Sequence, residues 1–382
     1  MEQTSSRVIS VDAFRGLTIM GMILVNNPGD WGAVYPPLLH SNWHGWTPTD
    51  IVFPFFLFIV GVSIVLAMKH RIDSGVERKK LIVKLIKRSA VLFALGLFLN
   101  GFPFGLFGPQ SFTEVLSTWR IPGVLQRIAI CYLVVSILFL FCGRRALRLW
   151  TLALLVGYWA LMTLVPIPGE DAFSSRQPDI HAAGGHLAAW VDTHVFGAHV
   201  WNGSKVYDPE GILSTIPALA TTLFGVFTGL LLTGPLSPTE KTVRLFVRGS
   251  LLVVAGYAWN GFFPINKAIW TSSYAVFTAG QAMCALALCY WFFDIRKHRA
   301  AEKPLVIFGV NAITVYVGSG ILARTLELLE SGGISFQVLI YQTLFTSWLP
   351  PYPASLAYAL LWVTGWFAVL SWMYRRSLTI KI

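Results

Sequence analysis

The residues of this sequence best suited to chemistry lie in the run His40-Ser41-Asn42-Trp43-His44-Gly45-Trp46-Thr47-Pro48-Thr49-Asp50. It leads straight into Ile51-Val52-Phe53-Pro54-Phe55-Phe56, so an imidazole and a carboxylate stand where a short loop enters a long apolar segment. Histidine titrates near neutral pH and suits general-base work. Asp50 could orient that imidazole or could simply cap the following helix. His40 and His44 are four apart, a spacing that a helix could turn into a zinc site. Gly45 and Pro48 argue against a helix there, and no third ligand follows at suitable spacing, so no metal is expected. His181, His186, His194 and His199 also lack ligand spacing and read as interfacial polar residues.

Other polar groups need partners. Asp12 and Arg15, three apart, share one face of the first apolar run. Asn26-Asn27-Pro28-Gly29-Asp30 forms the exit turn of that run, where an amide caps the helix or points into a cavity. Further on come Arg120-Ile121-Pro122-Gly123-Val124-Leu125-Gln126-Arg127, then Tyr207-Asp208-Pro209-Glu210-Gly211, then Pro264-Ile265-Asn266-Lys267 with Trp270, and finally Asn311 and Tyr316. Each alone reads as a cap or an interhelical hydrogen bond. Together they gather His, Asp, Glu, Arg, Lys and Asn at one membrane face, which favours a binding cavity.

The elements that position these groups must be membrane helices. The chain has 382 residues, 55% hydrophobic and only 12% charged, with a mean hydropathy of +0.63. Ten runs are long enough to cross a bilayer as helices: 9–26, 50–68, 89–107, 122–142, 146–165, 212–233, 247–263, 272–293, 305–323 and 354–374. The run 336–349 is short, ends in Pro350-Pro351 and reads as a re-entrant or interfacial piece. His186 to Val200 reads as an amphipathic helix on the outer surface. Most of the 29 Lys and Arg residues, from Arg7 through the 69–88 loop to Arg375, Arg376 and Lys381, fall on one side of a ten-span bundle. This positive-inside pattern puts both termini in the cytoplasm and accounts for the net charge of +11 without a nucleic-acid partner. No linker or internal repeat divides the chain, so residues 1–382 read as a single transmembrane domain: an all-α, polytopic bundle. All four cysteines fall in apolar runs, and no disulfide framework is expected.

The segment Ser10-Val11-Asp12-Ala13-Phe14-Arg15-Gly16, then Val25-Asn26, then His40 to Phe56, resembles the membrane domain of the heparan-α-glucosaminide N-acetyltransferase family and its bacterial relatives. The resemblance continues in order through the Arg120, Tyr207 and Pro264 motifs to Asn311-Ala312-Ile313-Thr314-Val315-Tyr316-Val317-Gly318. It implies an acyltransferase domain of the bacterial inner (plasma) membrane, moving an acetyl group from cytoplasmic acetyl-CoA to the amine of an amino sugar on the far side. The family's catalytic histidine falls on His40, within His-x-x-Trp-x-Gly, and its active-site asparagine on Asn26. His40 would act as general base, with Asp50 orienting it; an acetyl-histidine intermediate is the other route, and direct transfer is favoured. Arg15, Lys69 and Arg71 are candidates for the CoA phosphates, with Arg127 and Asn311 also assigned to the cofactor. Asp208, Glu210, Asn266, Lys267, Trp270 and Arg120 are expected on the acceptor side. A homodimer is left open. Two departures bear on the acceptor. The family's lysosomal enzyme carries a luminal domain ahead of the bundle that this sequence lacks, which points away from heparan sulfate itself, and His44 stands where that enzyme has Asn. The competing readings are an amino-sugar transporter of the same fold and a purely structural membrane protein.

Overall fold

The structure is a computed structural model that describes residues 8–106, 111–169 and 174–380; Arg7 and Lys381 lie outside them. Helices dominate. In chain order they are α1 (Ile9–Asn26), α2 (Val52–Asp73), α3 (Arg78–Gly101), α4 (Phe112–Ser117), α5 (Val124–Phe141), α6 (Arg144–Leu164), α7 (Leu187–Phe196), α8 (Thr215–Leu232), α9 (Pro238–Trp259), α10 (Ser272–Cys289), α11 (Arg299–Val310), α12 (Ala312–Leu328), α13 (Phe336–Tyr341) and α14 (Pro351–Arg375). Two antiparallel two-residue ribbons are the sheet among the described residues, pairing Ile167 with Arg176 and Glu330 with Ser335. With no water in hydrocarbon to satisfy bare backbone, helices are the structure such apolar runs must take.

The ten expected spans are all represented by helices, though among the described residues fewer pass as crossings on length and composition. Seven are long and apolar enough, α1, α2, α5, α6, α8, α10 and α14, and an eighth counts if α11 and α12 are one broken span. The difference has two physical causes. Helices α3 and α9 run 24 and 22 residues, but both begin in charged turns, with Arg78, Lys79 and Lys80 in one and Glu240, Lys241 and Arg244 in the other. The run 305–323 is not continuous: α11 and α12 meet at Asn311 with a bend of 68°. The 336–349 run forms α13 followed by one π turn at Gln342–Thr346, too short to cross. Helix α7 lies where expected but is not a simple surface helix, since Ala188, Ala189 and Asp192 are buried. The four cysteines are free thiols.

Two helix pairs are clamped backbone to backbone. On Gly16 of α1 a Cβ would meet the Leu305 carbonyl of α11 at 1.8 Å, and on Gly61 of α2 it would meet the Thr222 carbonyl of α8 at 1.9 Å. Only glycine permits these approaches. Around them the apolar core gathers Phe14, Phe58 and Met283 in one cluster and Leu57, Ile128, Trp270 and Tyr274 in another.

Candidate active site

A cavity of about 560 Å³ lies between α1, α2, α3, α5 and the α11–α12 break. Its walls on α2 run from Val52 to Met68, about 24 Å at 1.5 Å per residue, most of a hydrocarbon thickness of about 30 Å. At one end it is bounded by Asn26, His40, Thr49, Glu210 and Lys267; at the other by Arg15, Ser63, Arg88 and Tyr132. The polar loops after α1, before α8 and before α10 thus meet at one mouth.

Asp50 makes one set of contacts with each carboxylate oxygen. Its Oδ1 lies 2.6 Å from His40 Nδ1. Its Oδ2 accepts from the backbone N–H of Ser41 (3.0 Å) and of Thr47 (2.9 Å) and from the Thr47 hydroxyl (3.1 Å). Thr47 and Asp50 form a capping box on the short 3₁₀ turn Pro48–Ile51 that leads into α2. The Asp50 side chain is fully buried, whereas His40 is about half exposed to the cavity. The Tyr274 hydroxyl donates to the Asp50 carbonyl at 2.5 Å, tying the loop to α10. A carboxylate can only accept, so the proton assigned to Nδ1 faces Asp50 and the Nε2 lone pair faces outward.

Lys267 is the second neighbour of His40. Its Nζ lies 3.0 Å from Nε2 and 3.2 Å from Nδ1. The turn that delivers it is tightly bonded. Asn266 Oδ1 accepts from the Ile269 N–H, Thr271 N–H donates to the Asn266 carbonyl, and Trp270 N–H donates to the Lys267 carbonyl. Trp270 is held in the left-handed region at φ 49°, a strained state for a bulky residue that needs firm surroundings. Those are its full burial and the indole bond to the Thr221 hydroxyl at 3.2 Å. Burial drives the Lys267 ammonium below its ordinary range, against the pull of Glu210 and Asp50.

The remaining acceptor-side residues divide between the cavity and its frame. Arg120 forks onto Asp208, Nε to Oδ2 at 2.8 Å and Nη2 to Oδ1 at 2.6 Å, and reaches Glu210 at 2.5 Å. Asp208 also accepts from the N–H groups of Trp201 and Glu210, so this pair braces the loop and only Glu210 borders the cavity. Burial opposes ionisation of Glu210, but Arg120 first, then Arg127 and Lys267, hold its carboxyl below the usual range. Asp192, which the sequence reading did not single out, accepts from the Asp208 and Ile212 N–H groups. Burial pushes its pKa up to about 6. His186 caps α7 through Nδ1 and stacks on Trp43. Its pKa is pushed down to about 4 by burial.

Among the residues assigned to the cofactor, Arg15 lines the inner mouth, paired with Asp12 at 3.0 Å and donating to the Ser63 hydroxyl at 2.8 Å. Lys69 instead donates to the Thr233 carbonyl, and Arg71 is exposed outside the cavity. Arg127 is fully buried behind the wall, bonded to the Gly211 carbonyl and the Ser214 hydroxyl, with Trp270 stacked at 5.2 Å. Asn311 sits at the helix break with both amide atoms buried and unpartnered among the described residues. Its neighbours Val310 and Ala312 line the cavity. Arg88 was missed by sequence reading. Its guanidinium lies over Tyr132 at 4.9 Å, with a buried Nε that has no partner among the described residues. Its only sequence signal was membership of the basic 78–88 cluster. Asn26 borders the outer mouth with no hydrogen bond among the described residues, so its amide is free for a ligand. His44 leans on His181, Nε2 to Nδ1 at 2.9 Å. No metal-holding cluster of His, Cys, Asp or Glu occurs among the described residues.

The profile of the family described as "Heparan-alpha-glucosaminide N-acetyltransferase, catalytic" matches residues 7–240. The chain is 30% identical over 364 residues to the heparan-alpha-glucosaminide N-acetyltransferase of Mus musculus, covering 84% of this chain and 54% of that protein. The Homo sapiens protein of the same name is 31% identical over 356 residues, 82% of this chain and 52% of its own length. The chain therefore spans about half the length of the curated relatives it matches. Asn26, His40, Asp50, Arg120, Asp208 and Glu210 all fall inside the matched region, and with more than half its length inside that profile the chain belongs to the heparan-alpha-glucosaminide N-acetyltransferase catalytic family.

Proposed function

We propose that this protein is an integral membrane acetyltransferase that moves an acetyl group from acetyl-CoA to the amine of an amino sugar. One observation carries the reading. A His–Asp pair, with the aspartate buried and the imidazole half exposed, opens on a cavity whose walls span most of a bilayer. A donor could then enter from the end of Arg15 and Arg88 while an acceptor enters at His40. The relatives' printed name supports the same chemistry and the glucosaminide acceptor.

The residues suit the parts. His40, its Nδ1 proton held by Asp50, takes a proton from the attacking amine at Nε2 once the amine displaces the Lys267 ammonium, 3.0 Å away, from that nitrogen. The buried carboxylate then stabilises the imidazolium, whose proton would go to the CoA thiolate as the C–S bond breaks, leaving the amide and free CoA thiol. Lys267 beside Nε2 repels a protonated amine, so the neutral amine is the form that approaches. Asn26 is a free donor for the carbonyl oxygen that gains charge as the tetrahedral centre forms. Glu210 accepts from sugar hydroxyls at the same mouth. Acetyl-CoA would supply the thioester, and Arg15 with the unpartnered Nε of Arg88 fits its phosphates better than Lys69 or Arg71 does. The basic loops favour a cytoplasmic inner mouth, with both termini on that side and the acceptor on the periplasmic face of a bacterial inner membrane.

The test uses purified protein with labelled acetyl-CoA and a panel of amino sugars, comparing the wild type with His40→Ala. Acetyl transfer lost in the variant is expected. Transfer unaffected by His40→Ala sinks the mechanism, and amino-sugar uptake into proteoliposomes without any transfer would replace the enzyme by a transporter.

A further inference from the structure

A second cavity lies away from the candidate active site, at the same end of the bundle as the basic loops. It is a groove of about 700 Å³ between α6, α8 and α9. Helix α9 packs along α10 and scarcely touches α8, although a short turn joins α8 to α9, and that divergence leaves the gap. Phe224 and Phe227 of α8 form its floor, at helical spacing on one face. A smaller groove of about 290 Å³ adjoins it, sharing both phenylalanines and Arg248. Apolar walls of this extent bordering lipid will be covered by acyl chains, because water gains no partners there.

The mouth of the groove is the opposite of apolar. Arg144 and Arg148 of α6 face Arg244 and Arg248 of α9 across it, and no carboxylate lines it. Arg244 is paired with Glu240 at 2.7 Å. The other three have no carboxylate partner among the described residues. Helix α6 begins at this mouth, and its N-cap, Gly143, gives no side-chain cap to the first turn. Unsatisfied N–H groups and the positive end of a 21-residue helix therefore add to the arginine field. Basic loops alone set topology; here arginines from two helices converge on one apolar slot with two adjoining troughs.

We propose that this groove is a binding site for one anionic phospholipid, its phosphate held by Arg148, Arg248 and the start of α6, and its two acyl chains lying in the two troughs over Phe224 and Phe227. Charge complementarity selects the occupant. A zwitterionic lipid would set its own cation among the arginines, and a second copy of this chain would have to bring carboxylates to a lipid-facing surface.

The test is native mass spectrometry of the full chain in detergent with equal amounts of phosphatidylglycerol and phosphatidylcholine of matched acyl chains. Phosphatidylglycerol is expected to be retained preferentially, and Arg148→Gln with Arg248→Gln should weaken its retention by about 30-fold, at about 1 kcal/mol per basic residue. Arg375→Gln with Arg376→Gln, elsewhere on the basic side, should leave it unchanged. A second measurement needs no variant: phosphatidylglycerol should raise the wild-type unfolding temperature and phosphatidylcholine should not. Equal retention of the two lipids, an unaltered double variant, or equal loss in the control variant would overturn the proposal. So would a protein dimer that the double variant splits without changing the lipid count.

Discussion

Replacing Asp50 by Asn separates the two tasks that one carboxylate performs. The amide carbonyl can keep the Ser41 and Thr47 N–H groups, now held at 3.0 and 2.9 Å. Its NH₂ then faces His40 Nδ1, where the carboxylate oxygen stood at 2.6 Å. The reverse orientation would set the NH₂ against two backbone donors, which is worse. Facing an NH₂, the imidazole must accept at Nδ1 and carry its proton on Nε2, so the base loses its lone pair towards the cavity. A wrong tautomer of this kind costs roughly 10³- to 10⁴-fold in kcat, or about 4–5 kcal/mol of barrier. Stability should hardly change. Asp50→Ala, in contrast, leaves both part-buried N–H groups without their acceptor, at up to about 1 kcal/mol each, and should lower the unfolding temperature as well. The assay is acetyl transfer to the best amino sugar, run beside thermal unfolding in the same detergent. An Asp50→Asn protein that unfolds with the wild type and retains kcat within tenfold would refute the orienting role and leave Asp50 as a cap alone.

Three further outcomes are expected. Asn26→Ala should slow transfer by about 10²-fold if its free amide is the oxyanion donor; an unchanged rate removes it from that role. Lys267→Met removes the ammonium that lies 3.0 Å from His40 Nε2, and kcat/KM should fall by about tenfold if that contact helps place the base; an unchanged kcat/KM contradicts that part. His186, with a folded pKa of about 4, is favoured neutral, so its stabilisation is complete above its unfolded value of about 6.5 and is lost as pH falls through the folded one, by about 3 kcal/mol in all. His186→Asn keeps a side-chain acceptor at the α7 cap but cannot titrate, and parallel unfolding profiles for variant and wild type between pH 6.5 and 4 would disprove that linkage.

Much of the bundle was legible because apolar length is a direct readout of bilayer thickness, as α1, α2, α5 and α8 show. The broken span was not, since Asn311 stands between two helical runs without a proline or glycine at the bend itself. The count of ten crossings is not confirmed where an apolar run continues a charged helix, in α3 and α9. At the site, His40 and Asp50 are ten residues apart and their pairing follows from a local loop. The clamp of Arg120 on Asp208 and Glu210 spans 88 and 90 positions. No spacing rule connects such residues, so the sequence presented brace and ligand as the same kind of residue. Arg127 and Trp270 are the same case: both looked like cavity groups and both are wall.

The two glycine clamps also say what bounds the cavity. A Cβ on Gly309 would meet the Asp12 carbonyl at 2.0 Å, and one on Gly225 would meet the Phe58 carbonyl at 2.0 Å, so each pair is locked from both sides. Neither α1 against α11 nor α2 against α8 has room to slide. The cavity lies between the α1–α11 block and the α2–α8 block, with α3 and α5 closing its side. His40 and Asp50 ride the loop that joins α1 to α2 and so bridges the two blocks, and any shift of one block against the other would be felt first at the imidazole.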